Sequence, residues 1–122
     1  MTDRELTTIH GTPALVLSAD GAPLDTIEAA TEMIGDAAWG EAELVVIPVV
    51  RLTDDFFELR TGFAGEVAQK YVNYRLRLAI VGDISARVAE SVSLSAWVAE
   101  SNRGSQLWFE PSLDALEQRL RP

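Results

Sequence analysis

The sequence predicts an α/β fold over residues 1–122 as a single domain: a mixed, mostly parallel sheet of four or five strands with helices covering it. Three observations predict it. Residues 44–47 are a short, continuously apolar run of the kind buried on both faces of a parallel sheet, and residues 75–81 alternate and then turn wholly apolar. Segments with apolar residues at three- and four-residue steps alternate with these runs. After an opening hairpin, the resulting strand and helix alternation implies right-handed crossovers between parallel neighbours.

Residues 4–10 alternate weakly and make a first edge strand, and residues 14–18 make a second. Gly11, Thr12 and Pro13 lie between them as the hairpin turn, and Asp20-Gly21 ends the second run. Pro23 suits a first helical turn, and Leu24, Ile27, Thr31, Ile34 and Ala38 form one stripe, so a helix is expected over residues 23–38 with a stop near Gly40. Glu28, Glu32 and Asp36 on its outer face repel one another, and the helix carries no cation to relieve them. Pro48 ends regular pairing of the strand at 44–47 because it has no N–H to donate.

Phe63, Val67 and Tyr71 mark a helix in the crossover that follows, with Thr61 as its N-cap. Residues 75–81 form a central strand stopping at Gly82-Asp83. Leu94, Trp97, Val98 and Ser101 mark the next helix, capped by Ser91 or Ser93 and ended by Gly104 in a left-handed conformation. A short strand over 106–109 precedes a last helix opened by Pro111-Ser112, whose Leu113, Leu116 and Leu120 point inward. Buried positions should include Ile27, Ile34, Ile47, Val67, Leu78, Ile80, Val98, Leu107 and Leu116.

Composition removes several functions. Nineteen acidic residues against ten basic ones give a formal charge of -9, which repels phosphate backbones and anionic lipid, so neither nucleic acid nor a membrane surface is an expected partner. A basic protein partner or self-association is compatible with it. The absence of Cys excludes disulfides, thiolate nucleophiles and sulfur-ligated zinc. His10 is the only imidazole, stands beside Gly11 with no nucleophile-elbow pattern in the chain, and reads as a strand or turn residue. The polar start is no signal peptide, and no apolar run approaches the roughly 18 residues of a membrane span, so a cytoplasmic protein is expected.

The densest chemistry lies in the crossover between the two apolar strands. Asp54, Asp55, Glu58, Arg60, Thr61, Gly62, Glu66 and Lys70 fall there, and Asp83 follows the next strand. A helix N-terminus beside Arg60 can receive an anion, while Gly62 and Gly65 permit close backbone approach. The bland reading is a helix cap with glycines for packing. Asp54, Asp55 and Asp83 on the carboxyl rim of the sheet have the oxygen chemistry of a magnesium site, but Asp is equally a turn residue, and no metal or cofactor is expected.

The run 54–62, with Ala64-Gly65-Glu66, Gln69-Lys70, Asn73-Tyr74-Arg75, residues 79–83 and Glu100-Ser101-Asn102-Arg103-Gly104, resembles the bacterial family labelled domain of unknown function 4180. That family implies no activity. Hairpin, alternating helices and strands, and the closing Pro111-Ser112-Leu113 helix are also similar to the STAS domains of sulfate transporters and anti-sigma-factor antagonists. Those domains carry a Ser-Gly pair where the second helix begins, and in antagonist-type members the Ser is a phosphorylated switch. Thr61-Gly62 stands there in this chain, so the resemblance makes Thr61 the candidate phosphoacceptor.

Two functions follow as expectations. One is a non-enzymatic regulatory or protein-interaction domain of STAS-like shape; the other is a small-anion or nucleotide binder, with or without enzymatic activity, using Arg60, Thr61, Lys70 and Asp83. The lack of Cys, the isolated His10 and the absence of a glycine-rich phosphate signature favour the first.

Overall fold

The computed structural model describes residues 3–122. Its sheet has five strands in the spatial order β1-β2-β3-β4-β5: Arg4–Ile9, Thr12–Leu17, Leu44–Pro48, Arg77–Val81 and Leu107–Glu110. β1 and β2 are antiparallel and every later neighbour is parallel. Spatial order equal to chain order sends each right-handed crossover over the same face. That face therefore carries α1 (Ile27–Thr31), α2 (Met33–Trp39), α3 (Asp54–Phe57), α4 (Phe63–Asn73), α5 (Ser85–Ala89) and α6 (Val92–Arg103), packed on Leu15, Val45, Ile47, Leu78, Ile80 and Phe109. Only α7 (Leu113–Leu120) crosses to the other face, where Leu116 meets Ala14, Leu44, Val46, Ala79 and Trp108.

The expected strands are present, with β3 and β4 adjacent and parallel. Ile34, Ile47, Val67, Leu78, Ile80, Leu107 and Leu116 are buried, while Ile27 and Val98 are half-buried against the core. Several local expectations are corrected. The hairpin turn is His10-Gly11, both at positive φ (47° and 84°), because a two-residue turn of this hand matches strand twist; Thr12 and Pro13 already belong to β2.

The first helix starts at Ile27 rather than Pro23. Leu24 instead bridges to Leu52, and Thr26 caps the helix by accepting from the Ala29 N–H at 3.0 Å. The helix also breaks at Glu32, which rotates the buried stripe onto Ala30, Met33, Ile34 and Ala37 and leaves Ala38 exposed. Relief for its acidic face comes from another element: Arg4 of β1 pairs with Glu32 and, at 3.2 Å, with Asp36. Burial works to deprotonate Arg4, but the hydrogen bonds it donates to Glu32 and Asp3 outweigh it and raise its pKa. Gly104 is extended rather than left-handed, and Leu113 is half-exposed, leaving Leu116 as the buried anchor of α7.

Two polar locks have no apolar-pattern signature. Arg51, 3% exposed after β3, donates to the carbonyls of Ala22 (2.7 Å) and Ser18 (2.8 Å) and to Asp3 (2.9 Å), tying the connections after β2 and β3 to the residue that precedes β1. A Cβ on Gly21 would collide with its guanidinium, so that position needs glycine. Asn102 at the end of α6 accepts from the Phe109 N–H (2.7 Å) and donates to its C=O (3.2 Å), fastening α6 to β5. Arg119 of α7 reaches the Asn102 carbonyl at 3.1 Å, pairs with Glu110 and lies over Trp108, with Arg77 on the same ring.

Candidate functional site

A sheet whose spatial order follows the chain has no strand-order reversal, and so lacks the crevice where open α/β sheets usually hold ligands. The concavity at the carboxyl rim arises from the loops and short helices alone. Aromatic packing sets its floor. Phe56 and Phe57 of α3 are buried, with Phe56 against Phe57, Phe63 and Trp97 at centroid distances of 5.2, 6.4 and 6.3 Å, and Trp97 continues to Phe109. This chain of rings draws α3 and the start of α4 against α6, and α5 forms the opposite bank.

Between the banks lies an open cleft of about 940 Å3, lined by Asp54, Phe57, Glu58, Leu59, Arg60, Arg87, Glu90, Ser91, Ser93 and Leu94. Its charges are paired across and along it. Arg87 donates to Asp54 at 2.9 Å and its guanidinium lies 4.5 Å from the centre of the Phe57 ring. Arg60, 84% exposed, is 2.8 Å from Glu58. With both cleft guanidiniums held by carboxylates and Glu90 adding a third acid, the cleft presents no surplus positive charge to an anion.

Thr61 stands at the rim and is exposed. It is not the N-cap of α4. Gly62 occupies that position in a left-handed conformation at φ 77°, and Thr61 sits one residue before it. Its Oγ lies 2.9 Å from the carbonyls of both Asp55 and Glu58, to which it can donate, and accepts from the Phe63 N–H at 3.2 Å. One hydroxyl therefore knots the end of α3, the 3-10 turn Leu59–Thr61 and the first residue of α4.

The structure thus joins Asp54, Asp55, Glu58, Arg60, Thr61 and Gly62 in one neighbourhood and separates the rest of the expected set. Glu66 is exposed on the first turn of α4. Lys70 lies further along α4, in a shallow groove with Tyr74, Ile34 and Ala38 of α2. Asp83 accepts from the Ser85 N–H at 2.9 Å at the start of α5, and that backbone bond and the Ser85 hydroxyl hold its carboxyl below its ordinary value. Among the described residues, no three His, Cys, Asp or Glu side chains come together as a metal site. Sequence reasoning missed Arg87, Glu90, Ser91 and Ser93 as cleft residues. Asp83-Ile84-Ser85 is the one signal that could have found them, since an Asp two residues before a Ser is a turn and cap pattern announcing the short helix that carries Arg87.

No helix among the described residues is long and apolar enough to cross a membrane. No curated protein and no solved structure matches this chain. A family model does match, over residues 9–120, and its span takes in β2 to β5, the cleft and α7 alike. The chain belongs to the family described as domain of unknown function (DUF4180).

Proposed function

We propose that this protein is a non-enzymatic regulatory domain of STAS-like architecture that docks a protein partner in the cleft between α3 and α5–α6, with charge at Thr61 as the switch. The observation that carries this reading is the Thr61 knot. Esterifying its hydroxyl with a phosphoryl group removes the proton that Thr61 offers to the Asp55 and Glu58 carbonyls. It also sets a dianion beside the N-terminus of α4 and beside Arg60, which then has a stronger partner than Glu58. Glu58 and Arg60 line the cleft, so a local charge change remodels one of its banks.

Support also comes from the element order, whose opening hairpin followed by alternating helices and strands is the pattern the STAS resemblance implies. The chemistry of the cleft, with three carboxylates, two paired guanidiniums and a buried aromatic floor, suits a basic peptide segment better than a phosphate ester. The test is affinity capture from the native host with wild type, Thr61→Glu, Thr61→Ser and Glu90→Lys, each checked by circular dichroism. Wild type and Thr61→Ser should retain one partner that Thr61→Glu and Glu90→Lys lose. Identical partner lists for all four remove the cleft and Thr61 from the function.

A further inference from the structure

The two edges of the sheet are treated differently. At β5 the main-chain groups of Phe109 that face away from β4 are occupied by the side chain of Asn102, and Pro111 follows the strand, so this edge is sealed against another strand. Among the described residues, β1 at the opposite edge has neither device. Its sequence Arg-Glu-Leu-Thr-Thr-Ile contains no Pro and no Lys, and its pairing with β2 runs without a bulge from Arg4 to Ile9. Leu6, in its middle, is 51% exposed. Leu6 lies against Gly40, where a Cβ would approach its Cδ1 to 2.5 Å, and Gly40 directly follows Trp39, which is 91% exposed. An open strand edge thus borders an uncovered apolar pair on the helix-bearing face.

Hydrogen-bond alternation fixes what could pair there. The Ser18 N–H donates to the Asp3 carbonyl, and the two-residue turn closes on Ile9 and Thr12, so Asp3, Glu5, Thr7 and Ile9 turn their main-chain groups toward β2. Those of Arg4, Leu6 and Thr8 point outward. Two copies of β1 related by a twofold axis must match outward residue to outward residue. Centring the axis on Arg4 opposes two arginines, and centring it on Glu5 opposes two glutamates. Centring it on Leu6 sets Leu6 against Leu6, Arg4 against Thr8 and Glu5 against Thr7, with no like charges facing; centring it on Thr7 overlaps as far but sets each Leu6 against Thr8, so only the Leu6 register brings the two exposed leucines together. The same axis is perpendicular to the sheet, so both helical layers lie on one side and each Trp39 flanks the paired Leu6 residues.

We infer that the protein forms a twofold dimer through antiparallel β1–β1 pairing centred on Leu6, joining two sheets into one of ten strands. Asn102 on the far edges closes the assembly at two copies instead of letting it grow. This surface is separate from the cleft, so the fate of the docking reading does not decide it.

Sedimentation equilibrium of wild type, Leu6→Lys, Thr8→Pro and Leu113→Lys tests the dimer. Wild type and Leu113→Lys, altered at a comparably exposed leucine on α7, should show twice the 13.3 kDa chain mass. Leu6→Lys places two ammonium groups across the axis, and Thr8→Pro removes an outward N–H without touching the bonds to β2; both should halve the mass. Should either variant fail to fold, Leu6→Cys in this Cys-free chain decides: Cα atoms in such a pair lie about 5.5 Å apart, within disulfide reach. Mild oxidation should crosslink Leu6→Cys into dimers while Leu113→Cys stays monomeric. A wild-type mass of 13.3 kDa at every attainable concentration, or equal crosslinking at both positions, overturns the inference.

Discussion

Replacing Arg51 by Met keeps most of the side-chain volume and removes the fork that holds the connections after β2 and β3 to Asp3. Three hydrogen bonds go with it, two of them to carbonyls that are partly shielded by the surrounding chain. A carbonyl left without its donor costs about 1–3 kcal/mol when buried, and the lower half of that range applies here because water can reach Ser18 and Ala22 once the loops relax. Asp3, exposed enough to be hydrated, adds little. The sum is about 2–4 kcal/mol, and at about 4 °C per kcal/mol for a chain of this size the midpoint should fall by about 8–16 °C. Differential scanning calorimetry against Arg87→Met supplies the comparison, since that exposed ion pair is worth about 1 kcal/mol or less. Gly21→Ala adds a second reading. Its Cβ collides with the guanidinium, so it should destabilise wild type and be nearly harmless in the Arg51→Met background. Equal midpoints for Arg51→Met and Arg87→Met, or additive effects with Gly21→Ala, would refute the clasp.

Three further outcomes follow from particular bonds. Thr61→Ala should cost about 1–2 kcal/mol in urea unfolding and leave the fold intact, because it removes both a donor to α3 and an acceptor for α4; no loss would mean the knot does not form in solution. Asn102→Ala should cost about 1–3 kcal/mol and speed aggregation on warming, because it opens the β5 edge; light scattering equal to wild type would contradict this. Burial pushes the Tyr71 phenol well above its ordinary value, where it donates to the Ala30 carbonyl at 2.9 Å. Its folded-state pKa is raised, so the folded chain holds the proton more tightly, and stability that is full below pH about 10 declines as pH rises further. Tyr71→Phe should flatten that alkaline decline at a neutral-pH cost of about 1 kcal/mol; an unchanged decline would place the effect elsewhere.

The strands were legible because continuous apolar runs such as Leu44 to Ile47 have few other fates. Helix position was less so. Leu24 and Ala38 fit a stripe with Ile27 and Ile34, but one joins a bridge and the other faces solvent, because a break at Glu32 resets the phase and no local residue announces it. Polar residues with distant partners were invisible. Nothing in the sequence reading singled out Arg51, and Arg4 gave no sign that it would neutralise Glu32 and Asp36. Asn102 was noticed through the family likeness, and its geometry now accounts for it as a seal on β5 rather than a surface residue. Of the site, one bank was readable because its residues are contiguous in the chain. The other bank, Arg87 to Ser93, arrives through folding alone.

The claim that the cleft docks a partner under the control of Thr61 is tested most directly by a photocrosslinking residue placed at Ser93, inside the cleft, and at Glu117 on α7. In native-host extract the account predicts one discrete heavier adduct from Ser93, none from Glu117, and loss of the Ser93 adduct when Thr61→Glu is added. The same adducts from both positions, or a Ser93 adduct that survives Thr61→Glu unchanged, would contradict it.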